Sequence, residues 1–319
     1  MFKDQILILR KYPISYFFIK LFFLFLVVFL LDYSIGSTLK YFYFKQESGL
    51  QYRTTYSIEK TNADLLIFGS SRANHHYNPI LFENRMKLSC YNVGRDGNFI
   101  FYHYAVLRCI LKRHTPKVII LDVNGGEFEV NKDSYDRLSS ILPYYNSHPE
   151  IKSIIELRSK YEKLMLQSSI YPYNSKMFTI AVGNMDFNKK RKSDIKGYVP
   201  LTRVWDGVKN MDSTLTNYKI DNLKINTFKS FIKDCKKAHV KLYILCSPYL
   251  FKSIQTDLSI KIAKKITKSN NVNFLDYSRD SYFCKHPEYF SDLIHLNNKG
   301  SIKYTGLLID SIQKLNHLF

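Results

Sequence analysis

Apolar residues follow three patterns along this chain. The first is a nearly unbroken run, Ile14 to Leu31, ISYFFIKLFFLFLVVFLL, with Lys20 near its start. As a helix it spans about 27 Å, close to a bilayer core of roughly 30 Å. The second pattern is a set of short continuous apolar segments of strand length. These are Asp64–Phe68 (DLLIF), Leu88–Val93, Lys117–Val123 (KVIILDV), Lys241–Cys246 (KLYILC, stopped by Ser247-Pro248) and Val272–Leu275. The third is helical spacing of apolar residues over Phe99–Lys112, Leu223–Ala238, Thr256–Lys268 and Lys299–Leu315. Continuous apolar strands alternating with amphipathic helices predict a parallel sheet covered by helices on both faces, a three-layer α/β fold. In such sheets ligands lie beyond the carboxyl ends of the strands. The residues just after each strand are therefore where chemistry is expected.

The alternation is broken from about 135 to 215. That stretch is Tyr-rich, contains prolines and carries a basic run, Lys189-Lys190-Arg191-Lys192. It reads as an insertion between the third and fourth strands, and the basic run as a solvated loop. Residues 1–36 read as a cytoplasmic tip and membrane anchor, 37–60 as a stalk, and 61–319 as the globular domain. Arg10 and Lys11 precede the apolar run, and the first basic residue after it is Lys40. This bias puts the N-terminus in the cytoplasm and the domain outside the cell membrane. A cleaved signal peptide is the rival reading, with Leu21–Leu31 as its apolar core and Ser34-Ile35-Gly36 as its cleavage site. Both readings export the domain; a buried core helix is the third.

Composition adds one feature. With 47 Lys+Arg against 27 Asp+Glu, the 319-residue chain has a net charge of +20. Such a charge favours an anionic surface such as phospholipid headgroups or an acidic envelope polymer. Biased usage is the more general account, since the chain is rich in Lys, Asn, Ile, Tyr and Phe throughout. No helix-turn-helix, zinc-finger or RNP pattern accompanies the basic residues, so nucleic acid is not the expected partner. The five cysteines, Cys90, Cys109, Cys235, Cys246 and Cys284, form no CxxC pair. They predict neither a disulfide framework nor a zinc-ligand spacing. No metal or organic cofactor is expected.

Four strings carry chemistry. The first strand runs into Gly69-Ser70-Ser71-Arg72, where a sharp turn into a helix exposes a serine oxygen beside the helix N-terminus. The second ends in Asn92-Val93-Gly94-Arg95-Asp96-Gly97. A glycine there lets its N–H reach an oxyanion, or it is simply part of a turn. The third ends in Asp122-Val123-Asn124-Gly125-Gly126, where Asn124 is either a second donor or a turn residue. Near the C-terminus, Asp292 and His295 in Ser291-Asp292-Leu293-Ile294-His295-Leu296-Asn297 can meet across one turn, so that the carboxylate fixes the imidazole tautomer. Ser70 is an alternative nucleophile. His75 and His76 read as residues that line the cleft or cap the helix. Arg72 either meets an anionic substrate group or packs its stem on the sheet.

Taken in order, these strings resemble the four blocks of the SGNH or GDSL hydrolases, which supply Ser, Gly, Asn and His. The resemblance implies a flavodoxin-like sheet, Ser71 as nucleophile, and Asp292 and His295 as the acid and base. It implies the Ser71 and Gly94 N–H groups and the Asn124 amide as oxyanion donors. Ser70 stands where the family usually has aspartate, and Asp122-Val123-Asn124-Gly125 where it has Gly-x-Asn-Asp. Gly-Ser-Ser-Arg after an N-terminal span is similar to the branch handling cell-envelope polymers, including D-alanyl transfer and polysaccharide O-acetylation proteins. The expected activity is an esterase or O-acyltransferase acting on acyl, foremost acetyl, esters of envelope carbohydrate. A membrane-bound O-acyltransferase is the partner such proteins act beside. The alternative is a degenerate domain that only binds a glycan or that partner.

Overall fold

A computed structural model describes residues 13–189, 194–207, 218–250 and 257–317. Strands β1 (Leu65–Phe68), β2 (Cys90–Asn92), β3 (Val118–Asp122), β4 (Lys241–Cys246) and β5 (Asn273–Asp276) form one sheet in the order β2-β1-β3-β4-β5. Every pairing is parallel, with Leu66 flanked by Tyr91 and Ile119. The predicted three-layer α/β architecture, with flavodoxin-like strand order, is the one observed.

The sheet's two faces sort its residues by alternation. Leu66, Phe68, Ile119, Leu121 and Ile244 join the core cluster that includes Val106 and Ile110 of helix Ile100–Arg113 and Phe228 and Ile232 of helix Asn222–Lys237. Leu65, Ile67, Ile120, Tyr243 and Leu245 join the opposite cluster, with Tyr304, Leu308 and Ile312 of helix Asn298–His317. Burial on both faces explains why these strands are apolar at every position rather than every second one. Each fully buried Leu, Ile or Phe contributes roughly 1.5–3 kcal/mol of transfer free energy. Helix Asn222–Lys237 starts where Asp221 caps the N–H groups of Leu223 and Lys224. Helix Leu258–Ser269 is capped by Asp257; its expected start at Thr256 lies outside the described residues.

The N-terminal helix is continuous from Pro13 to Lys45, 33 residues and about 50 Å long. Its apolar part is long enough to cross a membrane and is not buried in the protein. Beyond Leu31 its surroundings change. Asp32 accepts hydrogen bonds from Ser168 Oγ and, at 2.6 Å, from the Ser169 N–H. A Cβ on Gly36 would fall 2.4 Å from the Ser169 carbonyl carbon, so only glycine permits this approach. Tyr43 is buried against Tyr144 and Tyr173. Residues 37–60, expected as a stalk, are thus helical and packed: Gly49–Thr55 and the π turn Tyr56–Lys60 bury Thr54, Thr55, Ser57 and Ile58. Ser34-Ile35-Gly36 lies inside the long helix. The described residues between β3 and helix Asn222–Lys237 form mainly short 3-10 and α-helical segments, with Pro143 inside Arg137–Tyr144. Lys190, Arg191 and Lys192 of the basic run lie outside the described residues.

Candidate active site

Ser71 is the first residue of helix Ser71–His76, which follows β1 directly. The turn between them needs glycine. Gly69 has φ +140°, and a Cβ there would lie 2.8 Å from both Ala73 Cβ and the Asp122 carbonyl oxygen. The turn presents Ser71 at the carboxyl edge of the sheet. As a first helical residue, its N–H has no intrahelical acceptor.

His295 comes from the loop before the last helix. That loop is closed by a hydrogen bond from Ser291 N–H to the His295 carbonyl (2.8 Å) and an antiparallel bridge between Phe290 and Leu296. Within it, Asp292 Oδ1 accepts the N–H groups of Ile294 and His295 at 2.8 and 2.9 Å. Its Oδ2 lies 2.8 Å from His295 Nδ1. The Asp-x-x-His spacing is what this loop requires: one carboxylate holds the backbone turn and the ring together. Burial alone would raise the Asp292 carboxyl, but the His295 ring and the two N–H donors outweigh it and hold it below the usual carboxylate range. A carboxylate on Nδ1 places the proton there and leaves Nε2 as an acceptor. Nε2 faces Ser71 Oγ at 2.7 Å. Ser71, His295 and Asp292 therefore form one hydrogen-bonded chain.

The two other expected residues are placed differently. Asn124 reaches the neighbouring serine, donating Nδ2–H to Ser70 Oγ at 2.5 Å, while its Oδ1 is buried without a partner. An amide nitrogen carries two hydrogens, so this bond leaves one of them uncommitted. Gly94 is not free for the oxyanion role expected of it. Its N–H donates to Asn92 Oδ1 at 2.9 Å. A Cβ at Gly94 would meet Asn74 N at 2.6 Å and Ala73 C at 3.0 Å. What the structure requires of this glycine is the close approach of β2's end to the helix bearing Ser71.

Arg72 is turned inward rather than toward a substrate. It is 2% exposed, its guanidinium lies 3.8 Å from the Tyr249 ring centroid, and its Nε donates to Ser247 Oγ at 3.1 Å. His75 bonds the Val199 carbonyl through Nδ1 (2.7 Å), with Nε2 3.5 Å from Asp96 Oδ2. Its ring stands edge-on to His295, centroids 5.6 Å apart. His76 is wholly buried and joins Ser247 Oγ to the Leu296 N–H. Ser247 in turn donates to Asp122 Oδ2 at 2.7 Å and from its N–H to Oδ1 at 3.1 Å. Ser247 immediately follows β4, the position where chemistry was to be sought, yet Ser247-Pro248 read only as a strand stop.

An imidazole that is oriented by a carboxylate and bonded to a serine hydroxyl can take the hydroxyl proton during attack on a carbonyl. The helix N-terminus and an amide beside it can hold the oxygen that becomes negative.

No family profile matches the chain, and no curated protein matches it by sequence. Among solved structures it is similar to a candidate acylhydrolase of Bacteroides fragilis NCTC 9343, at 13% identity over 84% of this chain and 97% of that one, TM-score 0.41. It is similar to the acetyl xylan esterase AlAXEase, at 13% identity over 78% and 99%, TM-score 0.40. A catalytic mutant of Axe2, an acetylxylan esterase from Geobacillus stearothermophilus, shares 11% identity over 78% and 94%, TM-score 0.39. Likenesses this distant say nothing of reaction or substrate.

Proposed function

We propose that this chain is a membrane-anchored serine esterase or O-acyltransferase of the SGNH type, acting outside the cytoplasmic membrane on acyl esters of envelope carbohydrate. The observation that carries the reading is the unbroken chain Ser71 Oγ to His295 Nε2 at 2.7 Å and His295 Nδ1 to Asp292 Oδ2 at 2.8 Å. Ser71 Oγ attacks the ester carbonyl as His295 Nε2 accepts its proton. The carbonyl oxygen turns negative and is held by the Ser71 N–H and the free Asn124 amide hydrogen. Collapse breaks the bond to the alcohol oxygen, which leaves with the proton from His295, and an acyl-serine remains. Water or a sugar hydroxyl then attacks the acyl carbon, giving up its proton to the same nitrogen, and collapse breaks the bond to Ser71 Oγ, which takes that proton back from His295. The first outcome is hydrolysis and the second is transfer, for which a membrane-bound O-acyltransferase is the natural source of acyl groups.

A fluorophosphonate probe tests this directly. It should label the wild type and Ser70→Ala but not Ser71→Ala. Labelling that follows Ser70 would move the nucleophile. A folded wild type that neither labels nor releases acetate from acetylated glycans would leave a glycan-binding domain in its place. Adding an acceptor sugar to the acetate-release assay separates esterase from transferase.

A further inference from the structure

At the edge of the sheet where the strands begin, away from Ser71, three unlike donors converge. Cys109 lies near the end of helix Ile100–Arg113, and His148 and Glu150 lie in the inserted region. Their donor atoms all fall within 4.8 Å of one another. Cys109 is 1% exposed, and the side chains of His148 and Glu150 are 13% and 8% exposed. His148 Nδ1 is 2.8 Å from Glu150 Oε1, and Nε2, on the far side of the ring, is 2.8 Å from Glu59 Oε1.

We propose that Cys109 Sγ, His148 Nδ1 and Glu150 form a site for a thiophilic divalent cation of the zinc kind, with Glu59 orienting the imidazole from behind. Zinc bonds of about 2.3 Å to sulfur and about 2.0–2.2 Å to nitrogen and oxygen set tetrahedral ligands roughly 3.3–3.7 Å apart. The observed spread contains that separation, so small rotations suffice. A ring whose second nitrogen donates to a carboxylate is the usual setting of a metal-bound histidine, and Glu59 supplies it. The thiol selects against Mg²⁺ and Ca²⁺, which take oxygen ligands. A thiol gives up its proton on binding such an ion, and the thiolate and the Glu150 carboxylate then neutralise the ion's charge. A fourth position is left for water.

The ion would join three parts of the chain. Cys109 belongs to a helix packed on one face of the sheet, His148 and Glu150 to the inserted region, and Glu59 to the turn leading from the long N-terminal helix into β1. Without an ion, the same residues are an imidazolium shared by two carboxylates, and this is the alternative the experiment must separate.

The full chain in detergent, stripped with a chelator and dialysed against Zn²⁺, should retain a stoichiometric amount by elemental analysis. Co²⁺ in its place should give a near-ultraviolet thiolate-to-cobalt charge-transfer band. Cys109→Ser should abolish the band, and His148→Gln should abolish stoichiometric binding. Glu59→Gln should keep the band while Zn²⁺ affinity falls about 10–100-fold. A wild type with no charge-transfer band, or zinc retention unchanged in both Cys109→Ser and His148→Gln, overturns the site. The wild-type spectrum decides even if a variant fails to fold. No readout depends on Ser71.

Discussion

His76 Nε2 accepts the backbone N–H of Leu296 at 2.9 Å, one residue beyond His295. Because Nε2 accepts, a neutral ring carries its proton on Nδ1 and donates it to Ser247 Oγ, 2.9 Å away. Ser247 passes its own hydroxyl proton toward Asp122 Oδ2. Burial above all, and next the nearby Arg72 charge, hold the His76 ring well below the usual histidine range, hence neutral. The ends of β3 and β4, the helix bearing Ser71 and the loop bearing His295 are thereby tied by one buried relay. His76 thus holds the loop that carries His295, and both of its ring nitrogens are taken up in doing so.

Replacing His76 by alanine leaves the Leu296 N–H and the Ser247 hydroxyl without this partner in the interior. Each unsatisfied buried group costs roughly 1–3 kcal/mol. His76→Ala should lower the thermal midpoint clearly and reduce turnover, because the His295 loop loses its anchor. His76→Gln, which offers both an acceptor and a donor, should restore much of both. Equal turnover in wild type and His76→Ala would remove the positioning role.

The same burial sets a dependence on pH. A histidine whose folded pKa is depressed stays neutral in the fold, while the unfolded chain takes up a proton below about pH 6.5. The unfolded state then binds more protons, so stability is full above that pH and falls as the solution is acidified. Between pH 7 and pH 5 one such histidine accounts for about 2 kcal/mol. His76→Gln should therefore lose about that much less than the wild type on going from pH 7 to pH 5 in urea unfolding. Burial brings His103 to about 3, and His103→Asn should flatten the acid limb likewise. Parallel curves for wild type and variants would show the rings are not buried neutral. Comparing variant with wild type also cancels Glu127, which burial raises to about 7 and which acts in the opposite sense between about pH 4.5 and 7.

The sheet was legible because burial on both faces leaves a signature that needs no partner. DLLIF became Leu65–Phe68 and KLYILC became Lys241–Cys246. Asp292 and His295 were legible because a single tight loop joins them. The inserted region was not, since its 3-10 segments have no apolar period and pack on the long helix through Gly36, Asp32 and Tyr43, distant in sequence. Residues 37–60 read as a stalk for the same reason. The donor role of Gly94 is implied only by the resemblance to the SGNH blocks, and sequence does not show that Asn92 Oδ1 takes its N–H. Ser247 and His76 meet only in three dimensions.

Gly94 and Asn124 should separate cleanly in experiment. Gly94→Ala introduces a methyl 2.6 Å from Asn74 N, and such overpacking costs about 1–3 kcal/mol. Its defect should appear in the unfolding midpoint. Asn124→Ala removes a proposed oxyanion donor, for which kcat falls about 10²–10³-fold with little change in KM. A stable Gly94→Ala enzyme with a low kcat would return the donor role to that glycine.

Asp32 marks where the long helix leaves its lipid-length segment and docks on Ser168 and Ser169. If the domain lies outside the cytoplasmic membrane, protease added to intact spheroplasts should digest it. Asp32→Leu removes the acceptor of those bonds and should speed cleavage of the inserted region while leaving the protein in the membrane fraction. Complete protection until lysis would reverse the topology.

Asp292→Asn tests the heart of the proposed mechanism. The amide oxygen can still accept the Ile294 and His295 N–H groups, so the loop should survive. Its NH₂ would then replace Oδ2 opposite His295 Nδ1. Two donors cannot face each other, so the ring shifts its proton to Nε2, which then points N–H at Ser71 Oγ. In that tautomer it has no lone pair to accept the serine proton. A fall in kcat approaching the roughly 10⁴-fold of the same change in a serine-protease triad is expected, with folding intact by circular dichroism. His295→Ala should be lower still, because among the described residues only His295 is bonded to Ser71 Oγ as a base. His75 offers no substitute: its Nδ1 is taken by the Val199 carbonyl and its Nε2 faces Asp96. If His295→Ala keeps more than about a tenth of wild-type turnover, under about 1.4 kcal/mol of barrier lowering depends on it. His295 would then not be the general base, and the hydrogen-bonded chain to Ser71 would be structural only.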